Sequence, residues 1–187
     1  MRSFADLLTI YRIAAAPVVA GVALAGVRDA FFILLIISIA TDAADGPISR
    51  WMGTASRRGA RLDTIADALT TIAALLGLYI FERATLQPDI GWLYAFLATY
   101  TAAAIACLAK FGVLPAYHLY LSKLSAVLAA LFIVFLYAAG YSREFLIAVF
   151  AVGIAANLES IIATLRLRQF RADIGSVFLI RGRGAGA

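Results

Sequence analysis

Six long apolar runs constrain this sequence more than any other feature. Each is close to the ~20 residues that an α-helix needs to cross the ~30 Å hydrocarbon core of a bilayer. The runs cover Ile10–Gly26, Phe31–Ser49, Leu62–Phe81, Trp92–Ala109, Ser122–Ala139 and Phe145–Leu165. Backbone amides in lipid must be paired within their own segment, and the runs lack the alternation of a membrane β-barrel. The sequence therefore predicts an all-α integral membrane protein with six transmembrane helices.

The composition agrees with this prediction, since 64% of the 187 residues are hydrophobic and only 14% are charged. A soluble domain is nearer half apolar and a quarter charged. The connections are short and no repeat is visible, so we expect a single domain over residues 1–187. Asp6 and Arg12 would interrupt the apolar core of a cleavable signal peptide. We expect instead a short amphipathic N-terminal segment at the membrane interface. The single cysteine, Cys107, excludes an internal disulfide and is expected to pack between helices.

The positive charges are distributed unevenly between the two sides of the predicted bundle. If both termini lie on one side, every Lys and Arg except Arg28, Arg83 and Arg143 falls on that side. Cytoplasmic loops carry such an excess, so we expect cytoplasmic termini in the cell (inner) membrane. A basic face of this kind attracts anionic headgroups and phosphorylated substrates. Nucleic acid is not expected as a partner, because the charges line short loops beside membrane spans.

Four aspartates flank the connection between the second and third runs. Asp42 and Asp45 are three residues apart, and Asp63 and Asp67 are four apart, so each pair shares one face of a helix. If the two helices are antiparallel neighbours, the four carboxylates converge at the cytoplasmic end. So much negative charge near lipid is costly without a counterion. Oxygen-only ligands favour magnesium, manganese or calcium over zinc. Each aspartate taken alone could instead cap a helix or pair with a loop arginine.

The stretch from Asp42 to Asp67 resembles the signature of the CDP-alcohol phosphotransferase (CDP-alcohol phosphatidyltransferase) family, D-x2-D-G-x2-A-R-x8-G-x3-D-x3-D. Every spacing is kept, and serine replaces the usual alanine at one position. The matching residues are Asp42, Asp45, Gly46, Ser49, Arg50, Gly59, Asp63 and Asp67. Members of the family transfer the phosphoryl-alcohol part of a CDP-alcohol to a hydroxyl acceptor and release CMP. The resemblance also implies a homodimer.

The resemblance further implies a role for each matching position. Asp67 would be the general base that deprotonates the acceptor hydroxyl. The metal ligands, for two Mg²⁺ or Mn²⁺ ions, would be Asp42, Asp45, Asp63 and Asp67. The nucleotide and diphosphate would be bound by Asp42, Asp45, Gly46, Ser49, Arg50 and Gly59. Glycines permit close approach of a nucleotide, and an arginine offers a fork of donors to phosphate oxygens.

A phosphorylated or carboxylated acceptor would need a second cationic pocket at the same face. The acceptor residues that we predict are His118, Ser122, Lys123 and Arg166; Lys110, Arg168, Thr9 and Arg12 are further candidates. His118 could instead be an interfacial side chain, and Lys123 could be a lipid anchor. Glu159 lies within the sixth run, where an ionisable group is either functional or the structural partner of an arginine.

The function predicted from these features is a membrane transferase of phospholipid biosynthesis. CDP-diacylglycerol is the expected donor, because a lipid substrate explains a protein embedded in the bilayer. Glycerol 3-phosphate is the first expectation for the small polar alcohol acceptor; serine, inositol and inositol phosphate are the alternatives. A transporter of divalent cations or protons is the alternative from another class, but it would need acidic residues near the bilayer midplane. A catalytically inactive scaffold is disfavoured by the intact signature.

Overall fold

A computed structural model describes residues 4–51 and 57–180, and the side chains of residues 9–42 and 62–180. All regular structure in these ranges is helical, as predicted. The long helices are α1 (Phe4–Leu24), α2 (Arg28–Trp51), α3 (Arg57–Leu86), α4 (Ile90–Phe111), α5 (Tyr120–Ala139) and α6 (Arg143–Arg166). Two short 3₁₀ turns, Gln87–Asp89 and Val177–Leu179, complete the regular structure of the described chain.

The six helices correspond one for one to the six apolar runs. Three helical stretches of the described chain are long and apolar enough to cross a membrane: Leu62–Phe111, Tyr120–Ala139 and Arg143–Arg166. A shorter apolar helix covers Thr9–Leu24. Helix α1 is continuous from Phe4, so the predicted interfacial segment is the start of this helix. That all six helices cross a membrane, and that both termini are cytoplasmic, stay predictions.

The helices divide into two compact units, and the expected single domain stays a prediction. The first unit comprises the chain up to Pro88 together with Ile133–Tyr141, which includes the end of α5. Within it, α1 packs along both α2 and α3, whereas α2 and α3 touch each other much less. Gly26, with a φ of 74°, ends α1 in the left-handed conformation that glycine tolerates best. This tight turn sends the chain directly into α2.

An aromatic cluster fills the part of the first unit around the start of α2. The ring centroids of Phe31 and Phe81 lie 5.3 Å apart, and those of Phe32 and Tyr137 lie 5.4 Å apart. Arg28 donates to Glu82 at 3.2 Å, next to these rings. Phe31 and Phe32 are fully buried, so the cluster is the packing core of this end of the unit.

The Gly77→Ala substitution tests this packing. A Cβ built at Gly77 would overlap with Cζ, Cε1 and Cε2 of the Phe31 ring, which is itself buried. Overpacking of this kind costs about 1–3 kcal/mol, so we expect a lower melting temperature in detergent. Gly21→Ala is the matched control, because no described atom lies within 4 Å of a Cβ at that position of α1. Equal melting temperatures for the two variants would contradict this packing.

The second unit comprises Asp89–Phe132, which includes α4 and the start of α5, and the residues from Ser142 onward. Helices α4 and α6 form its main contact. Gly153 lets α6 approach α4 closely, since a Cβ there would lie 2.6 Å from Cε2 of Phe96. Arg143 binds Asp89 with donor–acceptor distances of 2.8 and 3.0 Å, which fixes the start of α6 to the start of α4.

Candidate functional site: a carboxylate cluster around Arg12

The site is built on the helices that precede and follow the connection at residues 52–56. Asp42 belongs to α2, and Asp63 and Asp67 lie one turn apart on α3. One carboxylate oxygen of each lies within 4.8 Å of the others. The spacing of four residues puts the two α3 carboxylates on one face, as predicted. Three hard oxygen donors at this separation could hold a divalent cation such as Mg²⁺ or Mn²⁺.

The guanidinium of Arg12, on α1, lies in the middle of these carboxylates. Its Nη1 is 2.5 Å from Asp42 Oδ1 and 2.9 Å from Asp63 Oδ1, and its Nη2 is 2.5 Å from Asp67 Oδ1. Only 1% of the Arg12 side chain is exposed, against 42%, 36% and 52% for the three aspartates in that order. A buried cation thus faces three partly exposed anions. The planar fork of arginine suits such shared recognition, because its donors point in fixed directions.

Arg12, a further candidate for the acceptor pocket, lies among the three carboxylates, and its role toward an acceptor stays a prediction. The prediction treated α2 and α3 as direct neighbours, whereas α1 packs along both. A side chain of α1 can therefore reach acids on both helices. The signal was present in the sequence, since an ionisable residue inside an apolar helix is expected to face the bundle interior and a partner. Thr9, one turn before Arg12, is also buried and lies in the same unit.

The remaining positions of the signature lie outside the described side chains. Asp45, Gly46, Ser49 and Arg50 belong to α2, and Gly59 belongs to α3. Their predicted roles in metal, nucleotide and diphosphate binding stay predictions. The same holds for the roles assigned to Asp42, Asp63 and Asp67, although the structure does bring these three together.

The predicted acceptor residues all belong to the second unit. His118 is exposed and has a φ of 49°, and Ser122 is half-buried near the start of α5. Lys123 is exposed, with its Nζ 6.0 Å from the centroid of the Tyr120 ring. Arg166 is the exposed last residue of α6, and Arg168 follows it, also exposed. Their roles toward an acceptor stay predictions.

Lys110 and Glu159, two charged residues that the sequence left open, have structural partners. Lys110 Nζ donates to the backbone oxygens of Thr164 and Leu165, each at 2.9 Å. It thus satisfies carbonyl groups that the end of α6 leaves unpaired. Glu159 accepts hydrogen bonds from the segment that follows α6, and among the described side chains it has no arginine partner.

Tyr117, in the connection between α4 and α5, ties that connection to α6. Its hydroxyl lies 2.7 Å from Thr164 Oγ1 and 3.4 Å from the Sγ of Cys107. Burial raises the pKa of the Tyr117 phenol well above its usual range. The phenol therefore stays protonated and keeps these hydrogen bonds. Cys107 is buried in the same cluster, in agreement with a packing role.

Comparison with known proteins adds one finding. A family model described as CDP-alcohol phosphatidyltransferase matches residues 2–165. Searches among curated proteins and among solved structures found no match. The matched range contains α1 and the whole carboxylate cluster, and it stops one residue before the end of α6.

Proposed function

Because the chain belongs to the CDP-alcohol phosphatidyltransferase family, we propose that it transfers a phosphatidyl group from CDP-diacylglycerol to a hydroxyl acceptor. The observation that carries this proposal is the convergence of Asp42, Asp63 and Asp67 within the range that the family covers. A lipid donor also gives a physical reason for apolar helices long enough to cross a membrane.

The carboxylate cluster fits a divalent cation by its donor chemistry. All of its donors are carboxylate oxygens, which Mg²⁺ and Mn²⁺ prefer. We propose that Asp42, Asp63 and Asp67, together with Asp45, hold two such ions. When bound, the ions would neutralise the negative charge of the diphosphate as CMP leaves. Gly46, Ser49, Arg50 and Gly59 are proposed to bind the nucleotide and diphosphate.

Asp67 is the proposed general base. In that role its carboxylate takes the proton of the acceptor hydroxyl, and the acceptor oxygen forms a bond to the phosphorus that carries the diacylglycerol. The bond between that phosphorus and the bridging oxygen breaks, and CMP leaves with the electron pair. A base must lie within hydrogen-bonding reach of the proton that it takes. The 52% exposure of Asp67 supports the proposal, since the carboxylate is accessible to a substrate from outside the bundle.

The acceptor is proposed to be glycerol 3-phosphate, with serine, inositol and inositol phosphate as alternatives. His118, Ser122, Lys123 and Arg166 are the proposed acceptor-binding residues. A phosphorylated acceptor carries two negative charges, which basic side chains recognise well. We propose further that all six helices cross the cell (inner) membrane, with both termini and the site on the cytoplasmic side, and that the protein is a homodimer.

Release of CMP is the measurement that tests the proposed reaction. Purified protein in detergent, given CDP-diacylglycerol and Mg²⁺ or Mn²⁺, should release CMP when the right alcohol from the panel above is added. Chelation of the metal with EDTA should abolish this release, and excess Mg²⁺ should restore it, because the diphosphate then regains its counter-charge. Folded protein that releases no CMP with any acceptor or metal would overturn the proposal.

A further inference from the structure

The segment after α6, residues 167–180, lies beyond the range that the family model matches and has a defined fold of its own. We call it the C-terminal hook. It turns back along α6, because Glu159 Oε1 accepts hydrogen bonds from Ser176 Oγ at 2.7 Å and from the backbone N–H of Val177 at 3.0 Å. The carboxylate of α6 thus holds the start of the 3₁₀ turn Val177–Leu179.

The C-terminal hook is also attached to the connection between α4 and α5. The backbone N–H of Ile174 donates to the oxygen of Tyr117 at 3.1 Å, and that of Tyr120 donates to the oxygen of Gly175 at 2.7 Å. Apolar side chains bury this attachment; they are Cys107, Tyr117, Leu119, Ala163, Leu167 and Val177. Backbone bonds and a buried cluster together fix the hook against α4 and α6.

The hydrogen bonds to Glu159 determine how far the 3₁₀ turn lies below the end of α6. Glu159 lies seven residues before Arg166, the last residue of α6. At ~1.5 Å per residue, the turn is held about 10 Å below the end of that helix. Because α6 has 24 residues, about 36 Å of helix, and is apolar enough to cross the ~30 Å hydrocarbon core, this level lies just inside the acyl chains. The turn therefore lies at the depth of lipid.

The side chains of the 3₁₀ turn match this depth. Val177 is buried against the protein, whereas 87% of Phe178 and 61% of Leu179 are exposed. Two adjacent apolar side chains that project at this level have acyl chains as their natural surroundings. Nearer the end of α6, Arg166, Arg168 and Arg171 are all exposed. Basic residues at the membrane surface attract anionic headgroups.

We propose that the C-terminal hook is a lipid-binding wedge. Phe178 and Leu179 insert into the leaflet at the C-terminal end of α6, and the exposed arginines bind the phosphates of anionic lipids there. Phe178 and Leu179 contact the acyl chains, and the arginines make the hook bind anionic lipids in preference to neutral ones. This inference rests on α6 crossing the membrane and does not depend on the transferase reaction.

Spin-label accessibility tests the depth directly. In a Cys107→Ala background, a single nitroxide is placed at Phe178→Cys or at the matched control Ala172→Cys, which lies in an exposed part of the same hook. The protein is reconstituted in nanodiscs with and without anionic lipid. Oxygen concentrates in acyl chains and a nickel chelate stays in water. We expect a several-fold higher ratio of oxygen to nickel accessibility at residue 178, and greater depth with anionic lipid.

Several results would overturn the proposal. Nickel accessibility at residue 178 equal to that at residue 172 would place the turn in water. Spin–spin broadening at residue 178, together with low accessibility to both oxygen and the nickel chelate, would indicate that a second copy of the chain covers the 3₁₀ turn. An equal depth of residue 178 with and without anionic lipid would contradict the proposed contact between the arginines and anionic headgroups. Leu179→Cys provides a second labelling site if Phe178→Cys does not fold, as judged by a monodisperse gel-filtration peak.

The Glu159→Ala variant tests whether the hydrogen bonds to Glu159 hold the 3₁₀ turn at its depth in the membrane. The substitution removes both hydrogen bonds to Ser176 and Val177, so the turn keeps only the backbone bonds at Ile174 and Gly175 and the packing of Val177. We expect nickel accessibility at residue 178 to rise toward the value at residue 172. Unchanged accessibility in a folded Glu159→Ala variant would contradict the proposal that α6 sets the depth.

Discussion

Asp67→Asn is expected to lose turnover by about 10²–10⁴-fold, the range that general acid–base catalysis contributes, while the protein still folds. The amide has the size of the carboxylate but cannot take a proton at neutral pH. It can still accept the hydrogen bond from Arg12 Nη2, so the packing of α1 against α3 is retained. The measurement is the rate of CMP release at saturating CDP-diacylglycerol and acceptor, with the melting temperature measured in parallel.

Asp29→Asn is the matched control for this experiment. Asp29 is an exposed aspartate in the first turn of α2, thirteen residues before Asp42 and thus about 20 Å away along the helix. The same chemical change there should leave CMP release unaltered. Asp67→Asn with the turnover of the parent protein would exclude Asp67 as the base.

Magnesium titration separates the two roles proposed for Asp67. If the carboxylate is only a base, Asp67→Asn needs the same Mg²⁺ concentration for half-maximal residual activity as the parent protein. If it is also a ligand, that concentration rises, as it should for Asp63→Asn, a position proposed only as a ligand. The comparison therefore shows, for Asp63 and for Asp67, whether the carboxylate is a metal ligand.

The second large effect is expected at Arg12. Arg12→Ala should lower the free energy of unfolding of the metal-free protein by about 2 kcal/mol, because three carboxylates lose a charged hydrogen-bond donor. The aspartates are more than a third exposed, so water recovers part of the loss and the full cost of breaking a buried ion pair does not apply. Thermal unfolding in EDTA measures this difference.

The Arg12→Ala substitution should raise the affinity for Mg²⁺, although it lowers the stability of the metal-free protein. Arg12 places a positive charge within 2.9 Å of an oxygen of each carboxylate, so its removal leaves a more negative site for Mg²⁺. An increase in affinity of about tenfold corresponds to ~1.4 kcal/mol. We therefore expect Mg²⁺ to raise the melting temperature of Arg12→Ala more than that of the parent protein. Isothermal titration of the substrate-free protein checks the affinity.

Arg28→Ala is the matched control for Arg12→Ala. Arg28 pairs with Glu82 at 3.2 Å and is 40% exposed, so its loss should cost no more than about 1 kcal/mol. Mg²⁺ should not compensate for that loss, because the pair lies at the start of α2, away from Asp42. An equal response of both variants to Mg²⁺ would contradict a specific link between Arg12 and the metal site.

The helices and the shared face of Asp63 and Asp67 could be predicted from the sequence because both depend on local spacing, whereas the approach of Asp42 is expected only if α2 and α3 are neighbours. Apolar runs of membrane length define the helices, and spacings of three and four residues put aspartates on one face. The place of Arg12 could not be obtained in this way. It depends on which helix packs beside α2 and α3, and apolar runs do not encode that order.

The C-terminal hook was missed for a related reason. Its sequence, "LRQFRADIGSVFLI", has no regular apolar period, and apart from the hydrogen bond of Ser176 Oγ the bonds that hold it involve backbone groups. A hydrogen bond to a backbone group cannot be recognised from the residue types in the sequence. Glu159 stands out in the sequence as an ionisable residue in an apolar run, but residue types do not indicate a backbone N–H as its partner.

The ion pairs of Arg12 also bear on how the protein is made. Arg12 precedes Asp42, Asp63 and Asp67 in the chain, so a ribosome delivers the cation to the membrane before any of these anions. Each acid that emerges later therefore has a partner of opposite charge in a part of the chain that is already made, and these ion pairs do not involve bound magnesium.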